Sequence, residues 1–219
     1  MVLKIHALPG STCGQLVFMT LNELGVPFEI VPVNFAAGEH KSAEHLKKQP
    51  FGQIPVLVEE DGFTLYESRA IARYVVAKYG PNSGLIPSGD LRKIALFEQA
   101  VSIEGGNFYP YASGLATEKV FKPMGGLKGS DERAAEYAQT LEAKLKVYEV
   151  ILGKQKYLAG DEFTLADIMH IPYGSLITGS AGFEALSGPK ATPNVSRWWA
   201  DISSRASWKA VAAAAAAKN

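Results

Sequence analysis

The chain has 219 residues, 47% of them hydrophobic, and sets 22 Lys+Arg against 22 Asp+Glu for a net charge of zero; that suits one large domain or two small ones and leaves no basic excess for nucleic acid and no acidic tail. Cys13 is the one cysteine and there are four histidines, which excludes an intrachain disulfide framework and leaves no zinc-ligand cluster by spacing. No stretch approaches the roughly 18 apolar residues of a membrane span, and MVLKIHALPG lacks the charged segment and long apolar run of a leader, so a soluble intracellular protein is expected.

Residues 2–7 read as a strand, and residues 12–24 as a helix with Leu16, Val17, Met19, Thr20, Leu21 and Leu24 on its apolar positions, stopped by Gly25 and Pro27. FEIVPV, residues 28–33, reads as a second strand, and a polar stretch containing GEHKSAEHLKK follows. Val56–Val58 and Phe63–Leu65 flank Asp61-Gly62 as a β-hairpin. Ser68 to Tyr79 then has Ile71, Tyr74, Val75 and Lys78 at helical spacing. This βαβ-ββα order gives a small mixed sheet covered by helices. YGPNSGLIPSGD, residues 79–90, reads as a linker. Beyond it, residues 91–121, 131–153, 164–179 and 194–217 have helical periodicity, the last ending in an alanine run, and no strand is evident. The expected fold is therefore α/β plus all-α: a thioredoxin-like domain over residues 1–80, a linker over 81–90, and an all-helical domain over 91–219.

Pro55 sits where the third strand begins and has no N–H for a ladder. In thioredoxin-like folds this position carries a cis-proline, whose bend would free the backbone groups of Ile54 to pair with a short extended peptide. An edge-strand start or a bulge is the plainer reading. Glu67 and Ser68 close the hairpin with an acid and a hydroxyl. On local grounds alone they are a surface acid and a helix N-cap.

GEHKSAEHLKKQPFGQIPVL (38–57), YESRAIARYVVAKY (66–79), FKPMGGLKGSDE (121–132) and YLAGDEFTLADIMHIP (157–172) follow one another at spacings that closely resemble glutathione transferases of the phi class, fungal and other non-plant phi-like members included. The resemblance covers nearly the whole chain. It implies a cytoplasmic, homodimeric detoxification enzyme that joins the glutathione thiolate to electrophilic, mostly apolar small molecules, with peroxidase activity a further option. Glutathione is a co-substrate and no cofactor is implied; nor is a nucleic-acid or membrane partner. The Ile54 backbone beside Pro55 would hold the cysteinyl part of glutathione. Ser68, at a helix N-terminus, would hold the γ-glutamyl carboxylate. Glu67 would take the ammonium, His40 and Lys41 the glycyl carboxylate, and Gln53 an amide hydrogen bond. Without the family, His40-Lys41 is a solvated loop.

Ser11, in LPGSTCG, falls where phi enzymes keep a catalytic serine. A hydroxyl cannot serve as the base here, but it can donate to sulfur and favour the thiolate, which is the nucleophile. Ser11 or Thr12 can equally cap the helix. Cys13 lies two positions on, where helix geometry is expected to point it elsewhere. A small buried hydrophobe is its plain reading, and a Cys13-dependent thiol transferase is the alternative. Phi sequences usually carry basic residues just before the position of Val17, whereas this chain has Gln15 and Leu16, a departure that bears on how well a thiolate is stabilised.

In the helical part, Pro110 within NFYPYASGL should kink or break the helix. Phe108, Tyr111 and Leu115 are candidates for the electrophile pocket, with core packing as the other reading. Thr164 with Asp167 reads as a capping box and Phe163 with Ile168 as its hydrophobic staple. Phe51 is a candidate dimer key or a core phenylalanine. A non-enzymatic carrier of apolar ligands, or an interaction protein on the same scaffold, would keep this fold.

Overall fold

The computed structural model describes residues 2–217. Among these the chain divides into two compact units, one formed by residues 2–86 and 206–217 and the other by residues 87–205.

The first unit is built on a four-stranded sheet in the order β2-β1-β3-β4, with β1 Leu3–Ala7, β2 Phe28–Pro32, β3 Val56–Val58 and β4 Thr64–Tyr66. β1 runs parallel to β2 and antiparallel to β3, and β4 is antiparallel to β3. Leu3, Ile5 and Ala7 alternate into the core with Lys4 and His6 on the other face. Two helices supply the apolar face that Leu3, Ile5 and Ala7 need. α1, Thr12–Glu23, contributes Leu16, Val17, Met19 and Leu21, and α3, Ser68–Tyr79, contributes Ile71, Ala72, Val75 and Val76. The two helices pack on each other. Between β2 and β3 the structure adds a 3-10 turn, Glu39–Lys41, and a short helix α2, Ala43–Lys48.

The second unit is helical: α4 Leu91–Asn107, α5 Tyr109–Ala116, a π segment Thr117–Phe121, α6 Lys122–Met124, α7 Asp131–Leu152, α8 Leu165–Ser180 and α9 Pro193–Ser203. Trp198, Tyr148, Phe97, Phe108, Leu141, Leu152 and Leu165 fill its core. Pro110 separates α4 from α5 as expected, lying in the first turn of α5 where its missing N–H is harmless. The carboxylate of the fully buried Asp167 accepts from Thr164 N–H (3.0 Å), Thr164 Oγ–H (3.1 Å), Leu158 N–H (3.2 Å) and Trp198 Nε1–H (2.9 Å). Phe163 packs its ring edge-on to Tyr157 and under the Arg205 guanidinium.

Two sequence expectations change. Residues 194–217 are not one helix: the chain breaks after Ser203 and resumes as α10, Ala206–Ala216. Nor does α10 lie in an all-helical domain running to residue 219. It packs on α1 in the first unit, burying Trp208 and Val211, with Asn22 Nδ2 donating to the Ser207 carbonyl at 3.3 Å and the Ser207 hydroxyl donating to Glu23. An alanine run alone has little surface to bury, so the two larger side chains decide where the helix docks.

Candidate active site

The register of the sheet brings three chain segments to one end. His6 is paired with Val56, and Val56 with Tyr66. β1 therefore leaves the sheet toward Ser11 at the end where β3 enters from Pro55 and where β4 leaves into Glu67 and Ser68. The Ile54–Pro55 bond is cis, as expected. No backbone hydrogen bond engages Ile54 among the described residues.

Ser11 caps α1: its Oγ accepts the Gly14 N–H at 3.1 Å. Accepting that bond leaves the hydroxyl proton free for an acceptor outside the helix, so capping and donation to a sulfur are compatible. Ser68 begins α3 and is 6% exposed, and Glu67 before it is exposed with φ 70°. Glu67 is the one non-glycine residue of positive φ among those described.

Cys13 is half-buried in the first turn of α1. Burial pushes its thiol up; hydrogen bonds with the Ser68 and Thr12 side chains and the nearby Arg69 charge pull the other way, and Glu67 adds to the rise. The packing of α3 on α1 brings Ser68 near this thiol. A partly buried thiol with a raised pKa stays protonated at neutral pH, which disfavours it as a nucleophile.

The loop after β2 carries His40 and Lys41. The His40 ring stacks on Phe35 with centroids 4.0 Å apart and planes 7° apart. Its Nδ1 is buried and has no hydrogen-bond partner among the described residues, an atom that awaits one. Lys41 Nζ donates to the Phe51 carbonyl at 2.9 Å. Gln53 has an exposed side chain, and its backbone is held on both sides: its N–H donates to Gln49 Oε1 at 3.2 Å, and its carbonyl lies 2.8 Å from His45 Nε2. A carbonyl only accepts, so His45 Nε2 carries the proton. His45 and Gln49 are buried. Sequence reasoning passed over both, having read α2 as a polar stretch. The signal was present in Ser42 as N-cap, Glu44 in the first turn and Lys47 and Lys48 in the last.

The three pocket candidates of the helical unit separate. Phe108 has no exposed surface and packs on the His170 ring at 4.6 Å, and Leu115 is buried. Both are core residues, a correction to the pocket expectation: the break before Pro110 turns Phe108 into the helix interface. Tyr111 keeps partial exposure. Phe51 is 65% exposed, with its ring edge-on to Tyr66, so it is not a core residue. No group of three His, Cys, Asp or Glu residues that could hold a metal occurs among the described residues.

The family model described as glutathione S-transferase, N-terminal domain, matches residues 1–77, and the one described as glutathione S-transferase, C-terminal domain, matches residues 112–206. Glutathione S-transferase PM239X14 of Arabidopsis thaliana is 50% identical over 199 residues, 90% of this chain and 89% of that protein. The crystal structure of glutathione transferase F7 from Populus trichocarpa superposes with a TM-score of 0.91 at 36% identity, covering 98% of this chain and 99% of its own. Glutathione S-transferase I from maize, solved with an atrazine–glutathione conjugate, gives a TM-score of 0.91 at 33% identity over 100% of both chains.

Proposed function

The chain belongs to the glutathione S-transferase family, in its phi class, and we propose that the end of the sheet where Ser11, Pro55 and Ser68 meet is its glutathione site. As a transferase of this family it takes glutathione as co-substrate and needs no cofactor. Glutathione lies extended, its cysteinyl backbone paired with Ile54. The γ-glutamyl carboxylate meets the Ser68 hydroxyl and the N-terminus of α3, where orphan N–H groups and the helix dipole favour an anion. Glu67 takes the ammonium, His40 and Lys41 the glycyl carboxylate, and the Gln53 side chain adds an amide bond.

Ser11 acts on the sulfur. Its hydroxyl donates to the thiolate and favours that form over the thiol, whose ordinary pKa is about 8.5. The thiol proton passes to solvent. The sulfur lone pair attacks an electrophilic carbon, a C–S bond forms, and the leaving group departs with its electron pair. A hydroperoxide oxygen is a second electrophile open to the same thiolate. The acceptor is a small, mostly apolar molecule, a reading supported by the conjugate carried by the maize relative.

The observation that carries this reading is the register that places His6, Val56 and Tyr66 side by side, because it delivers all three binding segments to one place. Glutathione titrated calorimetrically into the protein, followed by a panel of conjugation, peroxidase and thiol-transfer substrates, tests it. Absence of both binding and conjugation would overturn it. The homodimer belongs to the same reading and rests on the exposed Phe51 ring. Phe51→Ser should halve the mass seen by light scattering. A cytoplasmic location suits a single unpaired cysteine. Among the described residues no helix is long and apolar enough to cross a membrane.

A further inference from the structure

Gln15 stands where the phi-class resemblance leads to the expectation of a basic residue, and the structure gives it a different task. It is polar and only 9% exposed. Its backbone N–H donates to the Ser11 carbonyl at 2.8 Å, and its side-chain Nε2 donates to the Pro9 carbonyl at 3.2 Å. One residue thus ties down both ends of the Pro9–Ser11 segment that leads from β1 to the helix. The turn is also held by the Ser11 N–H bond to the Leu8 carbonyl at 3.0 Å and by the Gly14 N–H bond to Ser11 Oγ at 3.1 Å. Gly10, at its centre, offers no packing, since a Cβ there would meet nothing within 4 Å.

We infer that Gln15 is a positioning residue for the reaction: its carboxamide fixes the Pro9 peptide and through it the aim of the Ser11 hydroxyl. The inference rests on the proposed role of Ser11 at the glutathione sulfur. Hydrogen-bond strength depends steeply on distance and angle, so a donor that must meet a charged sulfur needs a rigid turn behind it. A basic residue at this position would act by its charge. Gln15 acts by geometry, which makes the departure from the family pattern a substitution of one kind of support for another.

The test compares Gln15→Met, nearly equal in size but without the donor, with the unmodified protein, Ser11→Ala and the double variant. Gln15→Met should lower kcat about three- to tenfold, the worth of one buried neutral hydrogen bond. KM for glutathione should stay within about twofold, since the peptide-binding groups lie on other segments. The pH profile of kcat should move to higher pH, because a misaimed hydroxyl favours the thiolate less. In the double variant the Gln15 effect should vanish, as expected of a residue that works through Ser11. If Gln15→Met does not fold, Gln15→Ala removes the same donor without bulk and carries the same expectations. An unchanged rate and pH profile, or a loss that multiplies with that of Ser11→Ala, would overturn the inference. If Ser11→Ala itself leaves conjugation intact, the underlying assignment of Ser11 fails, and the inference with it.

Discussion

Lys41 reaches across ten residues of chain to place its ammonium 2.9 Å from the carbonyl of Phe51. That bond presses the loop bearing His40 against Gly52, which has φ +63°. A Cβ on Gly52 would lie 2.7 Å from both the His40 carbonyl oxygen and Lys41 Cδ. Gly52→Ala therefore meets a backbone atom that cannot swing aside as well as an unfavourable φ. It should cost about 1–3 kcal/mol of stability. If His40 and Lys41 hold the glycyl carboxylate, it should also weaken glutathione binding roughly tenfold by displacing them. Thermal unfolding and calorimetry read the two effects. Affinity unchanged in a folded Gly52→Ala would count against the His40–Lys41 assignment.

Glu67 holds φ 70°, ψ 108° at the N-cap of α3, outside the left-handed well. Such a conformation costs on the order of 1–3 kcal/mol in a residue with a side chain. Glu67→Gly should relieve it and, after the greater chain entropy of glycine, leave the protein about 1 kcal/mol more stable. The same change removes the carboxylate proposed to meet the ammonium of glutathione. Affinity should fall by about 1.5–3 kcal/mol, a tenfold to hundredfold loss. Glu67→Ala should lose the same affinity without the gain in stability. A Glu67→Gly protein that binds glutathione normally would separate the strain from the site.

Most of this was legible wherever one segment could be read by itself. α3 shows its start at Ser68 through the change from hairpin to helical spacing, and Gly25 with Pro27 marks the end of α1 within a residue. The capping role of Ser11 follows from local chemistry, whereas the cis bond at Pro55 was expected from the thioredoxin-like layout and not from its own segment. What was not legible depended on a second segment. The Cys13 thiol meets Ser68 only because α1 packs on α3. Phe108 is core rather than pocket because His170 lies over it. α10 reads as a tail of the helical domain, and burial of Trp208 and Val211 together with the Ser207 bonds to Asn22 and Glu23 assigns it to α1. α2 is a different failure, since its cap and charge pattern were visible and six residues carry too little periodicity to stand out.

Asp167 is the one acceptor for four donors in the buried start of α8. Burial pushes its carboxyl up, and the bonds from Trp198, Thr164 and Leu158 hold the rise back. Asp167→Ala would strand those donors without water. Each unsatisfied buried donor costs about 1–3 kcal/mol, so a loss of at least about 3 kcal/mol is expected even if some donors find new partners. Asp167→Asn keeps one accepting oxygen and should cost less. Urea unfolding orders the two variants, and equal losses would mean that packing rather than hydrogen bonding dominates at this position.

Glu118 offers a pH-dependent counterpart. Its side chain is 2% exposed and lies in the π segment, where its carboxylate takes Lys122 Nζ at 2.6 Å and the Ser130 N–H at 2.9 Å, with Arg133 Nε at 3.5 Å. Gly129 allows this approach, since a Cβ there would fall 1.8 Å from the Glu118 carbonyl oxygen. The Lys122 ammonium first, then the Ser130 N–H, hold the Glu118 carboxyl below its usual value of 4.5 against the opposing effect of burial. The folded state therefore binds this proton less readily than the unfolded chain. The resulting stabilisation is complete above about pH 4.5 and disappears as pH falls through the lower folded value. Glu118→Gln should accordingly be less stable than the parent at pH 7, and the gap should close on going to pH 3. Asp131, likewise held low by Lys119, remains in both proteins and cancels from the comparison. Urea midpoints at pH 7, 5 and 3 measure the gap. A gap that stays constant over that range would show that Glu118 stabilises the segment through shape alone, with no contribution from its charge.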